Sequence, residues 1–217
     1  MLQSALLAGV PHAFSTRAPL QVDAILHESV LVRVKQVHSA EVAFASEALA
    51  GEVEADALVT DQPGLLLGIV TADCAPVLLV DPAVGVIGAA HAGWRGAHGG
   101  VLDNTVTAME RLGAERARIL VAIGPTIAQA SYEVDDAFRA LFAEGGDVFF
   151  RPGREGHWQF DLPTYVAHRL RAAGVAQIEW LGEDTYSQPD RFFSFRRATH
   201  LGEDTGGRQL SVIGLPR

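Results

Sequence analysis

Between residues 30 and 90 the chain runs through six short apolar stretches with no helix-length segment between them. They are 30–37 (VLVRVKQV), 41–45, 56–60, 65–71, 76–80 and 85–90, most of them bounded by Gly, Pro or Asp. Apolar runs of this length between turn formers read as strands. A doubly wound parallel sheet needs a crossover of about a dozen residues between successive strands, and the spacing here leaves no room for one. The pattern therefore argues against a doubly wound sheet. Further strands are expected at 118–123, 177–181 and 209–214, and helices at 99–112, 134–143 and 162–173. The first helix carries Val101, Leu102, Thr105, Val106, Met109 and Leu112 on one stripe and stops at Gly113; the last stops at Gly174. The pattern predicts a mixed α+β fold. With no internal repeat, low-complexity tract or linker, residues 1–217 read as one domain.

Apolar runs such as LLLGIV (65–70) fall far short of the about 20 residues that cross a bilayer. The opening MLQSALLAGVPHAF lacks the basic start of a secretory signal. A lone cysteine, Cys74, cannot form an internal disulfide. These features lead us to expect a cytoplasmic protein without a membrane partner. The net charge of −9, with no basic run longer than two residues, argues against a nucleic-acid surface. A single nucleoside carries no backbone charge and stays open as a substrate.

Strand ends are where the chemistry-bearing residues fall. His38 follows VKQV, Cys74 follows LGIVTAD, and His91 follows VIGAA. Two imidazoles and a thiolate suit zinc, with a fourth position left open to water. The same residues fit a plainer description, two polar residues at strand ends and a small core hydrophobe. Their wide spacing matches no compact zinc signature, and on the residues alone both readings stand. In HAGWRG (91–96), Trp94 offers a flat wall and Arg95 a forked donor for phosphate or carboxylate, or else a core aromatic and a solvated charge. In FFSFRRATH (192–200), Phe195 offers a stacking face, with Arg196 and Arg197 beside it for an anion; a surface pair at a strand end is the plainer alternative.

Taken in order, QVHSAEV, ADALVT, TADCAPVLLVD, GVIGAAHAGWRG, IGPTIAQASYEV, FFSFRR and GGRQLSVI resemble the signature blocks of the YfiH/YlmD family, from about residue 11 to the C-terminus. Members of that family are variously called multicopper polyphenol oxidase (laccase), peptidoglycan editing factor and purine nucleoside phosphorylase. The resemblance implies a metal site at His38, Cys74 and His91. It also implies a mixed α/β sandwich laid out like cysteine hydrolases of the cytotoxic-necrotizing-factor type. There are departures. The glycine-rich stretch and long segment usual before the first motif histidine are largely missing between FSTR (14–17) and His38. Cysteines usual in two later blocks are Thr126 and Asp184 here.

Of the activities the resemblance implies, a multicopper oxidase needs many histidines, often as H-x-H pairs. This chain has eight histidines and no such pair, although copper would compete for the same three ligands. Zinc-dependent phosphorolysis of purine nucleosides (adenosine, inosine, guanosine, methylthioadenosine), with adenosine deamination beside it, suits the residues better. Arg17, Arg95 and Arg196 are then candidate phosphate clamps, and Trp94 and Phe195 candidate stacking faces. Cys74 and His91 stand at the catalytic centre, and Asp73 is either an acid–base group or a residue that orients a ligand. The alternative enzyme is an amidohydrolase acting on UDP-MurNAc-L-Ser or UDP-MurNAc-L-Ala, with zinc or the Cys74 thiolate as its means of attack. A metal-sensing scaffold would explain the three ligands but not the Gly-Trp-Arg surround.

Overall fold

Alternate residues of the strand Ala75–Asp81 enter two different cores: Val77 and Leu79 join one, Leu78 and Val80 the other. Side chains alternate between the faces of a strand, so this one is covered on both. The layering follows from that in the computed structural model, which describes residues 1–46, 53–142 and 145–217.

The first half of the chain holds β1 (His12–Phe14), α1 (Val22–Ile25), β2 (Val30–Val32), β3 (Val42–Phe44), β4 (Ala57–Thr60), β5 (Leu65–Thr71), β6 (Ala75–Asp81) and β7 (Val86–Ala92). Two helices follow, α2 (Trp94–Gly99) and α3 (Val101–Arg111), then β8 (Leu120–Ile123), β9 (Glu133–Asp135) and α4 (Asp136–Ala140). The chain ends with β10 (Phe150–Pro152), β11 (His157–Phe160), α5 (Leu162–Ala172), β12 (Gln177–Trp180), α6 (Phe195–Leu201) and β13 (Gln209–Gly214).

Six strands form the central sheet in the order β12-β8-β6-β7-β4-β3, and four form a second sheet in the order β1-β13-β5-β2. The two pack face to face around Leu58, Leu67, Ile69, Leu78, Ile87 and Ile213. On its other face the central sheet is covered by α3 and α5, with Val106, Met109, Val166 and Leu170 fully buried. The fold is the mixed α/β sandwich expected. β9, β10 and β11 make a small separate sheet beside it.

All nine expected strands are present, the first of them shortened. Pairing of 30–37 with β5 stops at Val32. Beyond it Gln36 takes over, donating from Nε2 to Val70 O (2.7 Å) and accepting the Val70 N–H at Oε1 (2.9 Å). The expected helix 99–112 is α3, which starts at Val101 because Gly100 at φ +101° separates it from the short α2. The expected helix 134–143 begins instead as β9, which pairs with β11, and only then becomes α4. Residue 143 lies outside the described residues. α5 starts where Asp161 accepts the Thr164 N–H and stops at Ala172, two residues before Gly174 at φ +91°. Among the described residues no helix is long and apolar enough to cross a membrane.

Leu78 is fully buried between the two sheets, and Leu78→Ala should cost about 2–5 kcal/mol. Urea unfolding should show this as a lower midpoint at unchanged slope.

Candidate metal centre and substrate cleft

One end of the central sheet gathers the reactive side chains, and strand register explains why. Ala57 of β4 lies opposite Ala90 of β7, and Pro76 of β6 lies opposite His91. The residue before β4, Asp56, therefore falls beside His91 on one side, and the residue before β6, Cys74, falls near it on the other. His38 arrives from the loop ahead of β3, the neighbour of β4. The donor atoms of His38, Cys74 and His91 all lie within 4.8 Å of one another. The two imidazole rings stand edge to face, 4.8 Å between centroids. Gly93 makes the approach feasible: a Cβ there would lie 2.8 Å from Cys74 Sγ and 3.3 Å from His38 Cδ2.

Asp56 is fully buried and takes five donors. They are the N–H groups of Val37 (3.1 Å), His38 (3.0 Å) and Ser39 (2.6 Å), the Ser39 hydroxyl (2.8 Å) and His91 Nδ1 (2.7 Å). The first four hold the loop in which His38 has φ +62°, an uncommon conformation for a residue with a Cβ. The fifth fixes the tautomer of the neutral His91 ring, the form that binds a metal, with its lone pair on Nε2. Burial pushes Asp56 up, but the hydrogen bonds from His91 and Ser39 outweigh it and hold the carboxyl well below its usual range.

For the side chains alone, burial pushes the Cys74 thiol up, yet hydrogen bonds from His38 and His91 bring it down to about 7. Burial lowers His91, while its bonds to Asp56 and Cys74 raise it to about 9. These directions describe a thiolate beside an imidazolium. A metal ion taking both as ligands must release the imidazolium proton.

The triad opens into a cleft of about 560 Å³, whose lining includes Trp94, Arg95, Tyr132, Phe195, Arg196 and Arg208. The Arg95 guanidinium lies over the Trp94 ring at 4.5 Å, and that of Arg196 over Tyr132 at 5.1 Å. Asp73 also borders the cleft, but both its oxygens are engaged. Oδ1 accepts from Thr185 Oγ1 (2.6 Å), and Oδ2 from Ser194 Oγ (3.0 Å) and the Arg196 N–H (2.6 Å).

A family model described as multi-copper polyphenol oxidoreductase laccase matches residues 14–216. The chain belongs to this family. A purine nucleoside phosphorylase of Deinococcus radiodurans is 44% identical over 187 residues, covering 85% of this chain and 70% of the relative. Adenosine deaminase RL5, from an unknown prokaryotic organism, is 37% identical over 191 residues, 81% of this chain and 72% of that one. The crystal structure of YlmD from Geobacillus stearothermophilus superposes with a TM-score of 0.83 at 27% identity, covering 99% of this chain and 94% of YlmD.

Thr126 and Asp184, which stand where the resemblance would put cysteines, form an isolated parallel bridge. Hydrogen bonds do the work there. Thr126 Oγ1 donates to Asp73 O (2.7 Å), and Asp184 accepts from Ala128 N (3.1 Å), Tyr186 N (3.1 Å) and Ser131 Oγ (2.6 Å). Asp73 sits at φ +81° beneath them.

Trp94, Arg95, Phe195 and Arg196 all reach the cleft, with Phe195 half exposed. Phe195 and Arg196 do not close a strand, as expected, but open α6, capped by the Ser194 hydroxyl on the Arg197 N–H. Arg197 turns away and donates to the carbonyls of Thr185, Tyr186 and Phe192. Arg17 does not join the triad. It packs over Phe193 at 4.5 Å, donates to Pro189 O and lines a separate hollow with Arg197 and Glu203. Asp56, Tyr132 and Arg208 escaped the sequence reading, although each lies inside a family block: ADALVT, ASYEV and GGRQL. For Asp56 the signal was available, because it abuts an apolar strand just as Cys74 and His91 do.

Asp56→Ala should destabilise the fold by about 3–5 kcal/mol at neutral pH, since His91 and three N–H groups lose a buried anion. A carboxyl lowered by folding stabilises fully above its unfolded value near 4 and loses that contribution only as pH falls through the folded one. The deficit of Asp56→Ala against the parent should therefore be largest near neutrality and shrink on acidification, as urea unfolding across pH would show.

Proposed function

We propose that this protein is a zinc-dependent purine nucleoside phosphorylase acting on adenosine, inosine, guanosine and methylthioadenosine. One observation carries the reading: in a protein of net charge −9, the cleft that holds the His–Cys–His triad also gathers Arg95, Arg196 and Arg208. A cleft with guanidiniums beside aromatic rings suits an anion together with a flat, neutral base. The names of the relatives point the same way.

His38, Cys74 and His91 fit a metal ion by donor type, by proximity and by the tautomer that Asp56 imposes on His91. Zinc there would act as a Lewis acid, and copper would compete for the same ligands. In phosphorolysis a phosphate oxygen bonds to C1′ of the sugar as the C1′–N9 bond breaks. The electron pair of that bond leaves with the base, which takes up the proton that the attacking hydrogen phosphate gives up. Arg95 and Arg196 hold the phosphate for attack; Trp94 and Phe195 flank the base and exclude water. Asp73, saturated by three donors, is a positioning residue: it presents the start of α6, and Arg196 with it, to the cleft. Adenosine deamination is a second activity of the same site, favoured by the triad and by the deaminase relative. Among the described residues the triad is the one cluster of ligating side chains found, which speaks against a multicopper oxidase. The single thiol suits a reducing cytoplasm.

Purified protein given adenosine and phosphate should yield adenine and ribose 1-phosphate, with a rate that saturates in phosphate. Arg95→Ala should lower kcat/KM for phosphate by about 10–100-fold, the loss of a hydrogen bond to a charged group. Free ribose released at a rate indifferent to phosphate would contradict the reading. Cys74→Ala should remain folded while losing both bound zinc and turnover, by elemental analysis and product assay.

A further inference from the structure

Tyr132 has a place in the cleft that phosphorolysis has not yet used. The chain has three tyrosines. Tyr186 shares its hydroxyl with His200 Nδ1 (3.0 Å), and Tyr165 accepts from Arg169 Nη1 (3.3 Å). The Tyr132 hydroxyl makes no hydrogen bond to any described residue, nor is it sealed from solvent as an orphaned polar atom. Its ring, by contrast, is well held. Phe160 lies at 5.7 Å, Phe138 at 6.2 Å and the Arg196 guanidinium at 5.1 Å. A clamped ring with an unclaimed hydroxyl on a cleft wall points to a ligand.

Its surroundings say what kind of ligand. Phe138 also packs edge-on against Trp94 at 4.8 Å, so one aromatic cluster carries both rings on which the cleft's guanidiniums ride. Arg196 is further fixed by its Nη1 donating to Glu133 O (2.7 Å), next to Tyr132 in sequence. The Arg95 guanidinium makes no hydrogen bond to any described residue, leaving its whole fork for a ligand. Tyr132 lines the same cleft as the triad and as Arg95 and Arg196. A neutral O–H donor beside two cations fits an oxyanion better than it fits a second cation.

Resting on the phosphorolysis reading, we propose that Tyr132 is a substrate-binding residue whose hydroxyl donates to the phosphate held by Arg95 and Arg196. It supplies a third donor, and it sets the side of the anion that faces the metal centre. A dianion gripped by two guanidiniums alone would be free to rock about the line joining them; a rigid third donor removes that freedom.

The test is Tyr132→Phe, which keeps the ring, its packing and its contact with Arg196. Phosphate KM should rise roughly ten-fold, the effect of one hydrogen bond to a charged group, while nucleoside KM stays put. Calorimetric titration of the zinc-loaded protein with inorganic phosphate, without nucleoside, should show a matching loss of affinity. Unchanged phosphate KM and phosphate affinity would overturn the assignment. So would a rise confined to nucleoside KM, which would move the hydroxyl to the base. A parent enzyme that cleaves nucleosides without phosphate would overturn the phosphorolysis reading itself, and that result is visible before any variant is made.

Discussion

A single buried carboxylate holds the working end of the molecule together. Asp56 receives three backbone N–H groups, one hydroxyl and one imidazole, more than any surface aspartate could retain against water. Four of those donors shape the loop that carries His38; the fifth orients His91. Both imidazoles of the triad thus depend on one anion, and the anion depends on β4 pairing with β7 in one register. A slip of one residue would send the Asp56 side chain to the opposite face of the sheet. The hydrophobic faces of the sandwich forbid that slip, because β4, β6 and β7 are buried on both sides. Packing and chemistry here are one problem.

Around this rigid corner the protein arranges cations in an otherwise acidic chain. Arg95 and Arg196 are mounted on aromatic rings, and Arg208 is tied to the carbonyls of Thr205 and Gly207. Each lies on a different element, after β7, at the start of α6 and before β13, so the cleft is assembled from distant parts of the chain. Asp73 joins two of these parts by binding the first turn of α6 from the segment that carries Cys74. Preorganised donors of this kind cost little to reorganise when an anion arrives.

Much of this was legible beforehand, and the limits are physical. Long apolar runs such as 65–71 and 75–81 announce themselves because both faces are buried. β9, β10 and β11 do not: Glu133, Arg151, Pro152 and Gln159 show no alternation, and the strands exist because they pair with one another. The three candidate metal ligands stood at strand ends, but only the family blocks singled them out as a set. Asp56 stood beside an apolar strand as they did, but its pairing with His91 needed the register of β4 on β7. Arg17 looked like its fellow arginines in sequence, yet its chain leaves the cleft and the side chain packs on Phe193 instead.

The central claim is that β3, β4, β6 and β7 deliver a two-nitrogen, one-sulfur metal site at one corner of the sheet. X-ray absorption at the zinc edge of the protein in solution tests it most directly. The account predicts about two nitrogen scatterers near 2.0–2.1 Å and one sulfur near 2.3 Å, with a remaining light atom from water. A first shell without sulfur, or one made of oxygen alone, would contradict it.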